Sequence, residues 1–240
     1  LTLLLAVDDA TGTIPAALFR DQEDTQGYLL LFQDIVRRHG IPLAVYTDRH
    51  TVFQHHRTQW EEEHQTTKGI PTQFARALME LGVTQIFALS PEAKGRVERA
   101  NGTFQDRLVA EMRLAGASNA AEANTVLAEF LPRFDARFGV PAAQTEIAYR
   151  TLDPELDLAS TLCIKNRRTV AKDNTVLYQQ CALQLFPTPD RPSYAGAIVE
   201  IKERLDGQLV VCYQGKTIAS RTAPPHARLL RGHGVAGLKR

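Results

Sequence analysis

Ser90 to Leu108 reads S-P-E-A-K-G-R-V-E-R-A-N-G-T-F-Q-D-R-L and sets Glu98 among bases and amides at helical spacing. Steps of three and four residues place Lys94, Glu98, Asn101 and Gln105 on one face. Val97, Ala100, Phe104 and Leu108 fall on the neighbouring face as an apolar packing stripe. Ser90 and Pro91 suit an N-cap and a first helical turn, while Gly95 costs about 1 kcal/mol inside a helix and is a second candidate for its start. Taken alone the pattern describes an amphipathic surface helix; its neighbours decide whether Glu98 does chemistry.

Upstream, the apolar Leu1–Val7 stops at Asp8, and Asp8-Asp9-Ala10-Thr11-Gly12 turns it into a second strand, Thr13 to Phe19. The segment Tyr28 to His39 carries Leu29, Phe32, Ile35 and Val36 at helical spacing, with Gly40 as a stop and Pro42 beyond. Leu43 to Thr47 is a short apolar strand. Asp48 follows at its C-terminal end, where sheets flanked by helices carry active residues. Arg49 to Gly69 is polar and irregular and reads as a mobile loop. Its His55, His56 and His64 beside Glu61-Glu62-Glu63 lack the paired spacing of a helical zinc motif. A helix Thr72 to Leu81, closed by Gly82, and a strand Thr84 to Leu89 then lead into the Glu98 helix.

This order of elements, with the run A-K-G-R-V-E-R-A-N-G-T-F-Q-D-R-L, resembles the catalytic core of the DDE transposase and retroviral integrase superfamily, and within it bacterial insertion-sequence transposases of the ISNCY type. The resemblance is densest over Leu3–Gly12, Pro42–Asp48 and Thr72–Gly116. It implies an α/β fold: an RNase H-like core, a mixed sheet flanked by helices, followed by a small SH3-like β-barrel. It also implies metal-dependent phosphodiester cleavage and strand transfer on DNA at element ends, with Asp48 and Glu98 as catalytic ligands of two magnesium or manganese ions. The family's first aspartate lies on a strand before L-T-L-L-L-A-V-D-D-A-T-G, so the core is expected to lack that strand here and the chain as given to be inactive. The interval from Asp48 to Glu98 holds 49 residues, more than the family commonly shows. Asp8 and Asp9 match the turn region; their simpler role is to end the strand and cap the hairpin. Lys94, Arg96, Arg99, Asn101 and Gln105 are candidates for contact with DNA ends, and for the arginines a merely solvated helix face stands beside that reading.

Residues 119 to 138 repeat apolar positions at helical spacing around Pro132, where a kink or break is expected. Residues 139 to 160 read as a linker that wraps the first domain, and 161 to 222 as the barrel. Strands are expected at Thr169–Val170, Thr175–Tyr178 and Ala182–Phe186. Ile198 to Leu205 and Gln208 to Tyr213 form a hairpin whose Asp206-Gly207 suits a type I′ turn. The tail from Arg221 is expected to be poorly ordered.

Residues 161–240 hold 13 Lys and Arg against 5 Asp and Glu, a net of +8, which leaves 15 against 22, a net of −7, for residues 1–160. Such a split suits phosphate-backbone binding by the C-terminal domain, through Lys165, Arg167, Arg168 and Lys202. A generally basic surface is the alternative. At 44% hydrophobic and 23% charged residues no fibrous or disordered class is needed. The apolar opening is too short to span a bilayer. Three scattered cysteines fit reduced thiols rather than a disulfide framework. A cytoplasmic, nucleoid-associated protein that oligomerises on DNA is the resulting expectation. The runner-up functions are an RNase H-like nuclease that hydrolyses without joining strands and a non-catalytic DNA-binding remnant.

Overall fold

The computed structural model describes residues 1–54, 71–87, 91–144 and 146–223, with 91–94 and 96 described by backbone alone. The chain divides into two compact units, Leu1–Leu162 and Cys163–Arg240.

In the first unit, β1 (Thr2–Ala6) and β2 (Ala16–Arg20) form an antiparallel hairpin with Leu4 opposite Leu18. Alternation along the strands gives the hairpin two apolar faces. Leu3, Leu5, Ala17 and Phe19 pack with Ala100, Phe104 and Leu108 of α3 (Pro91–Leu114) and with Leu127, Phe130 and Phe134 of α4 (Ala120–Phe138). On the opposite face Leu4 meets α1 (Thr25–His39) at Gly27, where a Cβ would stand 2.6 Å from the Leu4 side chain. The hairpin is therefore the middle layer of a helix–sheet–helix stack, which is why β1 reads as a nearly continuous apolar run.

Asp24 caps α1 by accepting the Gly27 N–H at 2.7 Å, and Gly40 ends it at φ 94°. Next come β3 (Ile41–Pro42) and β4 (Ala44–Thr47). The latter pairs in parallel with β5 (Thr84–Phe87), from Ala44 opposite Thr84 to Thr47 opposite Phe87. Parallel strands need a crossover, and α2 (Gln73–Glu80) lies in it. Phe74 of α2 packs against Phe53 and Phe32, with ring centroids 5.2 and 5.9 Å away, and Tyr28 sits 4.6 Å from Phe53. Among the described residues β1–β2 and β4–β5 are separate two-stranded sheets. The expected loop Arg49–Gly69 falls largely outside the described residues: 55–70, including its histidine and glutamate groups, are not described.

Pro132 does not break α4, which runs unbroken through it. The carbonyl that proline leaves without a helical donor is that of Ala128, an exposed residue, so water can serve it. Residues 139–162 belong to the first unit. β6 (Tyr149–Arg150) pairs with β3, and Arg150 donates to the Leu81 carbonyl at 2.6 Å. Arg76 donates to the carbonyl of Thr161 at the end of α5 (Leu158–Thr161).

The second unit holds β7 (Cys163–Thr169), β8 (Thr175–Tyr178), β9 (Cys181–Leu185), β10 (Ile198–Arg204), β11 (Leu209–Tyr213), β12 (Lys216–Ile218) and β13 (Ser220–Thr222). They form a four-stranded sheet, β12-β11-β10-β7, and a three-stranded one, β13-β9-β8. Val176, Leu183, Leu185, Val199, Ile201 and Val211 fill the core between them. Three expectations change here. The charged β7 is a full strand, because it pairs with β10 from Cys163 to Thr169. Arg221 and Thr222 are ordered by pairing with β9; the rest of the expected tail, 224–240, lies outside the described residues. The Asp206-Gly207 turn is not type I′. Gly207 alone takes positive φ, at 84°, and donates to the Arg204 carbonyl, while Arg204 donates to Gln208. That is a three-residue loop with a glycine bulge, and Asp206 holds it by accepting the Gln208 N–H at 2.9 Å. No helix among the described residues is long and apolar enough to cross a membrane, and no disulfide joins Cys163, Cys181 or Cys212.

Candidate active site

Asp48 follows β4 directly, exposed, with Oδ1 accepting the backbone N–H of His50 at 2.9 Å. Around it stand three residues that no sequence pattern marked. Tyr28, in the first turn of α1, donates to Glu23 Oε1 at 2.5 Å, and His50 Nδ1 lies 3.8 Å from the same oxygen. Burial raises the Tyr28 hydroxyl well above its ordinary range, and the hydrogen bond and charge of Glu23 and then the charge of Asp48 push the same way. Glu23 and Tyr28 sit five apart across a helix start, a spacing without periodic signal.

Because Thr47 stands opposite Phe87, the end of β5 lies beside Asp48. Phe87 and Pro91 are separated by residues 88–90, so the start of α3 is within about 14 Å of that strand end. Glu98 is seven residues further along, exposed, as are Asn101 and Gln105. Ala100, Phe104 and Leu108 are buried, whereas Val97, expected in the same stripe, is 37% exposed. The buried positions repeat every four residues, and Val97 falls outside that row. Arg99 is exposed and donates through Nε to the Gly95 carbonyl at 3.2 Å. The side chains of Lys94 and Arg96 lie outside the described residues; their backbone is helical.

Asp48 and Glu98 offer the oxygen donors that magnesium or manganese takes. The described residues do not gather them: no group of three or more His, Cys, Asp or Glu comes together as a metal site.

Asp8 is taken up by the hairpin tip. Its Oδ1 accepts from Ala10 N at 3.0 Å, Thr11 N at 2.8 Å and Thr11 Oγ1 at 3.0 Å, closing the hairpin tip. Its Oδ2 lies 3.5 Å from the Tyr149 hydroxyl, and the Tyr149 ring packs 5.9 Å from His39 at the last turn of α1. Tyr28 marks the Asp48 end of that helix. Residues 28 and 39 are about 16 Å apart along it, so Asp8, and Asp9 next to it, sit at the far end of the unit.

In the second unit, Val199 and Ile201 of β10 point into the core, which turns Glu200, Lys202 and Arg204 outward. Opposite them on β7 stand Arg167, facing Glu200, and Lys165, facing Lys202. Lys165, Arg167 and Lys202 thus share one face, moderated by Glu200. Arg168 has the other parity: it pairs with Val199, and its guanidinium lies 6.0 Å from the Tyr178 ring.

No protein-family profile matches the chain. It is 32% identical over 221 residues to the Sinorhizobium fredii protein y4bF, named as a transposase, which covers 92% of this chain and 47% of that protein. It is 39% identical over 137 residues to the transposase for insertion sequence IS1202 of Streptococcus pneumoniae, covering 57% of this chain and 29% of that protein. The chain spans about half the length of the first relative and less of the second.

Proposed function

We propose that this chain is part of an insertion-sequence transposase: most of a DDE catalytic core with an RNase H-like fold, followed by a small DNA-binding domain of SH3-like type. The observation that carries the reading is similarity to a transposase-named protein over 92% of the chain. The parallel register of Thr47 with Phe87 puts the strand end bearing Asp48 beside the strand that leads towards α3, while Glu98 itself neighbours Arg99, which lies with the hairpin tip.

The gap between the two small sheets supports the expectation of a further strand. Among the described residues β1 pairs on one side only, with β2, and β4 on one side only, with β5. A strand from further upstream in a longer protein, antiparallel to β1 and parallel to β4, would join the sheets and bring its C-terminal end to the Asp48 end. An aspartate there would complete a DDE triad. In that protein Asp48 and Glu98 would be ligands of magnesium or manganese, the ions supplying charge stabilisation at the scissile phosphate. The partner is DNA, element ends and target, met in the bacterial cytoplasm by a homo-oligomer. Phosphate contact falls to Lys165, Arg167 and Lys202.

One observation favours the non-catalytic remnant instead: Arg99, the residue after Glu98, lines a groove with the hairpin tip, at the end of the unit opposite Asp48. The test is a protein extended upstream through an aspartate-bearing strand, assayed for cutting and joining of its element's ends with magnesium or manganese. Loss of joining in Asp48→Asn and Glu98→Gln, with DNA binding kept, is expected. Strand transfer by either variant overturns the assignment, and cutting without joining by the parent identifies the nuclease.

A further inference from the structure

A groove of about 460 Å³ opens between the hairpin tip, α3 and α4, at the end of the first unit away from Asp48. Its floor is apolar, made by Val7, Ala100, Phe134 and Phe138, and Val140 forms one lip. Two of these side chains remain accessible: Phe138 is 39% and Val140 57% exposed. One cation lines the groove and two more flank its Phe138 ring. Arg99 lines one wall, and the guanidinium carbons of Arg107 and Arg137 stand 5.4 and 5.6 Å from the Phe138 ring centroid. All three arginines are exposed. Of the carboxylates close by, Asp8 is engaged in the tip and Asp135 with the Ile14 N–H at 2.9 Å. At the tip itself Gly12 has open space where a Cβ would be.

An apolar floor beside exposed guanidinium groups matches a ligand that is flat and apolar at one end and anionic at the other. We infer that this groove takes an unpaired nucleotide of single-stranded DNA, its base against Phe138 and Val140 and its phosphates on Arg99, Arg107 and Arg137. Sequence-tolerant single-strand binding combines the same two features, a positive track and an aromatic or apolar platform. A duplex is a poor fit, since its bases are paired and stacked and leave the floor without a partner. The choice of DNA over RNA rests on the transposase reading; the chemistry of the groove does not.

The full 240-residue chain is titrated with fluorescent oligothymidylate, an abasic oligomer of equal length and a blunt duplex, and photo-crosslinked to an oligomer carrying 5-iododeoxyuridine. Crosslinks on the peptides holding residues 99–107 or 134–140 are expected. Phe138→Ala and Val140→Ser should each weaken oligothymidylate binding about fivefold or more and leave duplex binding unchanged. Arg107→Ala should flatten its salt dependence. Circular dichroism melts matching the parent chain confirm that the variants fold. Crosslinks confined to residues beyond Cys163, an abasic oligomer bound as tightly, displacement by a polyglutamate peptide, or preference for oligouridylate would each overturn the inference. If duplex binds and oligothymidylate does not, the inference falls and the DNA-acting function stands. If neither binds, both fall.

Discussion

Asp8 spends one oxygen on three hydrogen bonds to its own turn, so its removal is a folding matter before it is a catalytic one. Asp8→Ala is expected to cost about 1–3 kcal/mol in a denaturant melt, because part-buried donors at the tip lose their acceptor. Asp8→Asn, which keeps an acceptor, should cost less. Neither change should alter joining of pre-cut ends by a protein extended upstream through an aspartate-bearing strand; joined product that disappears in Asp8→Asn would overturn this placement. Asp135 offers a second residue-scale test. Burial raises its carboxyl above the ordinary value although the Ile14 N–H pulls it down. Asp135→Asn keeps the hydrogen bond and removes the part-buried charge, so the melting temperature at neutral pH should hold or rise slightly, whereas Asp135→Ala should lower it. At the alkaline end, burial and then Asp8 push the Tyr149 hydroxyl up to about 12 from 10.0, and burial and then Glu203 do the same for Tyr178. Their folded-state values are raised, so the stability they contribute is full below about pH 10 and is lost as pH climbs towards 12. Urea melts across that window, with tyrosinate absorbance followed alongside, check both the direction and the range.

Helices and hairpins show which signals were legible in the sequence. The stretch Tyr28–His39 and the row Ala100, Phe104, Leu108 were readable because a single buried face repeats at helical spacing. β7 was not, because C-I-K-N-R-R-T carries no apolar alternation; only its partner β10, some thirty residues on, makes it a strand. The short β3 and β6 escaped for the same reason, each being two residues long and existing through the other. Pro132 misled in the opposite sense: proline signals a break, but the carbonyl it orphans faces outward. Pro132→Ala should therefore stabilise α4, by about 1–3 kcal/mol if the helix is strained there, and a rise in melting temperature is the measurement. Gly40→Ala tests the opposite situation. With φ at 94° and the Arg150 carbonyl oxygen 2.4 Å from where a Cβ would stand, it should cost roughly 1–3 kcal/mol from the backbone alone and loosen the β3–β6 pair. Of the candidate site, Asp48 and Glu98 were visible in sequence through strand end and helix face. The Glu23–Tyr28–His50 group was not, since it is assembled from a loop, a helix start and a turn.

Across the whole molecule charge is divided between the two units, and the cationic face on β7 and β10 belongs to the second. A fluorescence titration of residues 161–240 against duplex DNA should show weak binding that falls steeply with salt, and Lys165, Arg167 and Lys202 replaced together by alanine should reduce the slope by roughly three. Affinity indifferent to salt would contradict the phosphate contact. Arg168, turned towards Tyr178, should contribute less than its neighbours. The free side of β1 has a further consequence for anyone handling the chain. T-L-L-L-A is uncharged and strongly apolar and, among the described residues, has unused backbone donors and acceptors along one side. Such an edge recruits whatever extended peptide it meets, including another copy of itself, and nothing in the strand acts as a gatekeeper. The isolated chain should therefore scatter light increasingly with concentration and time, and a lysine at Thr2 should slow that growth without lowering the melting temperature.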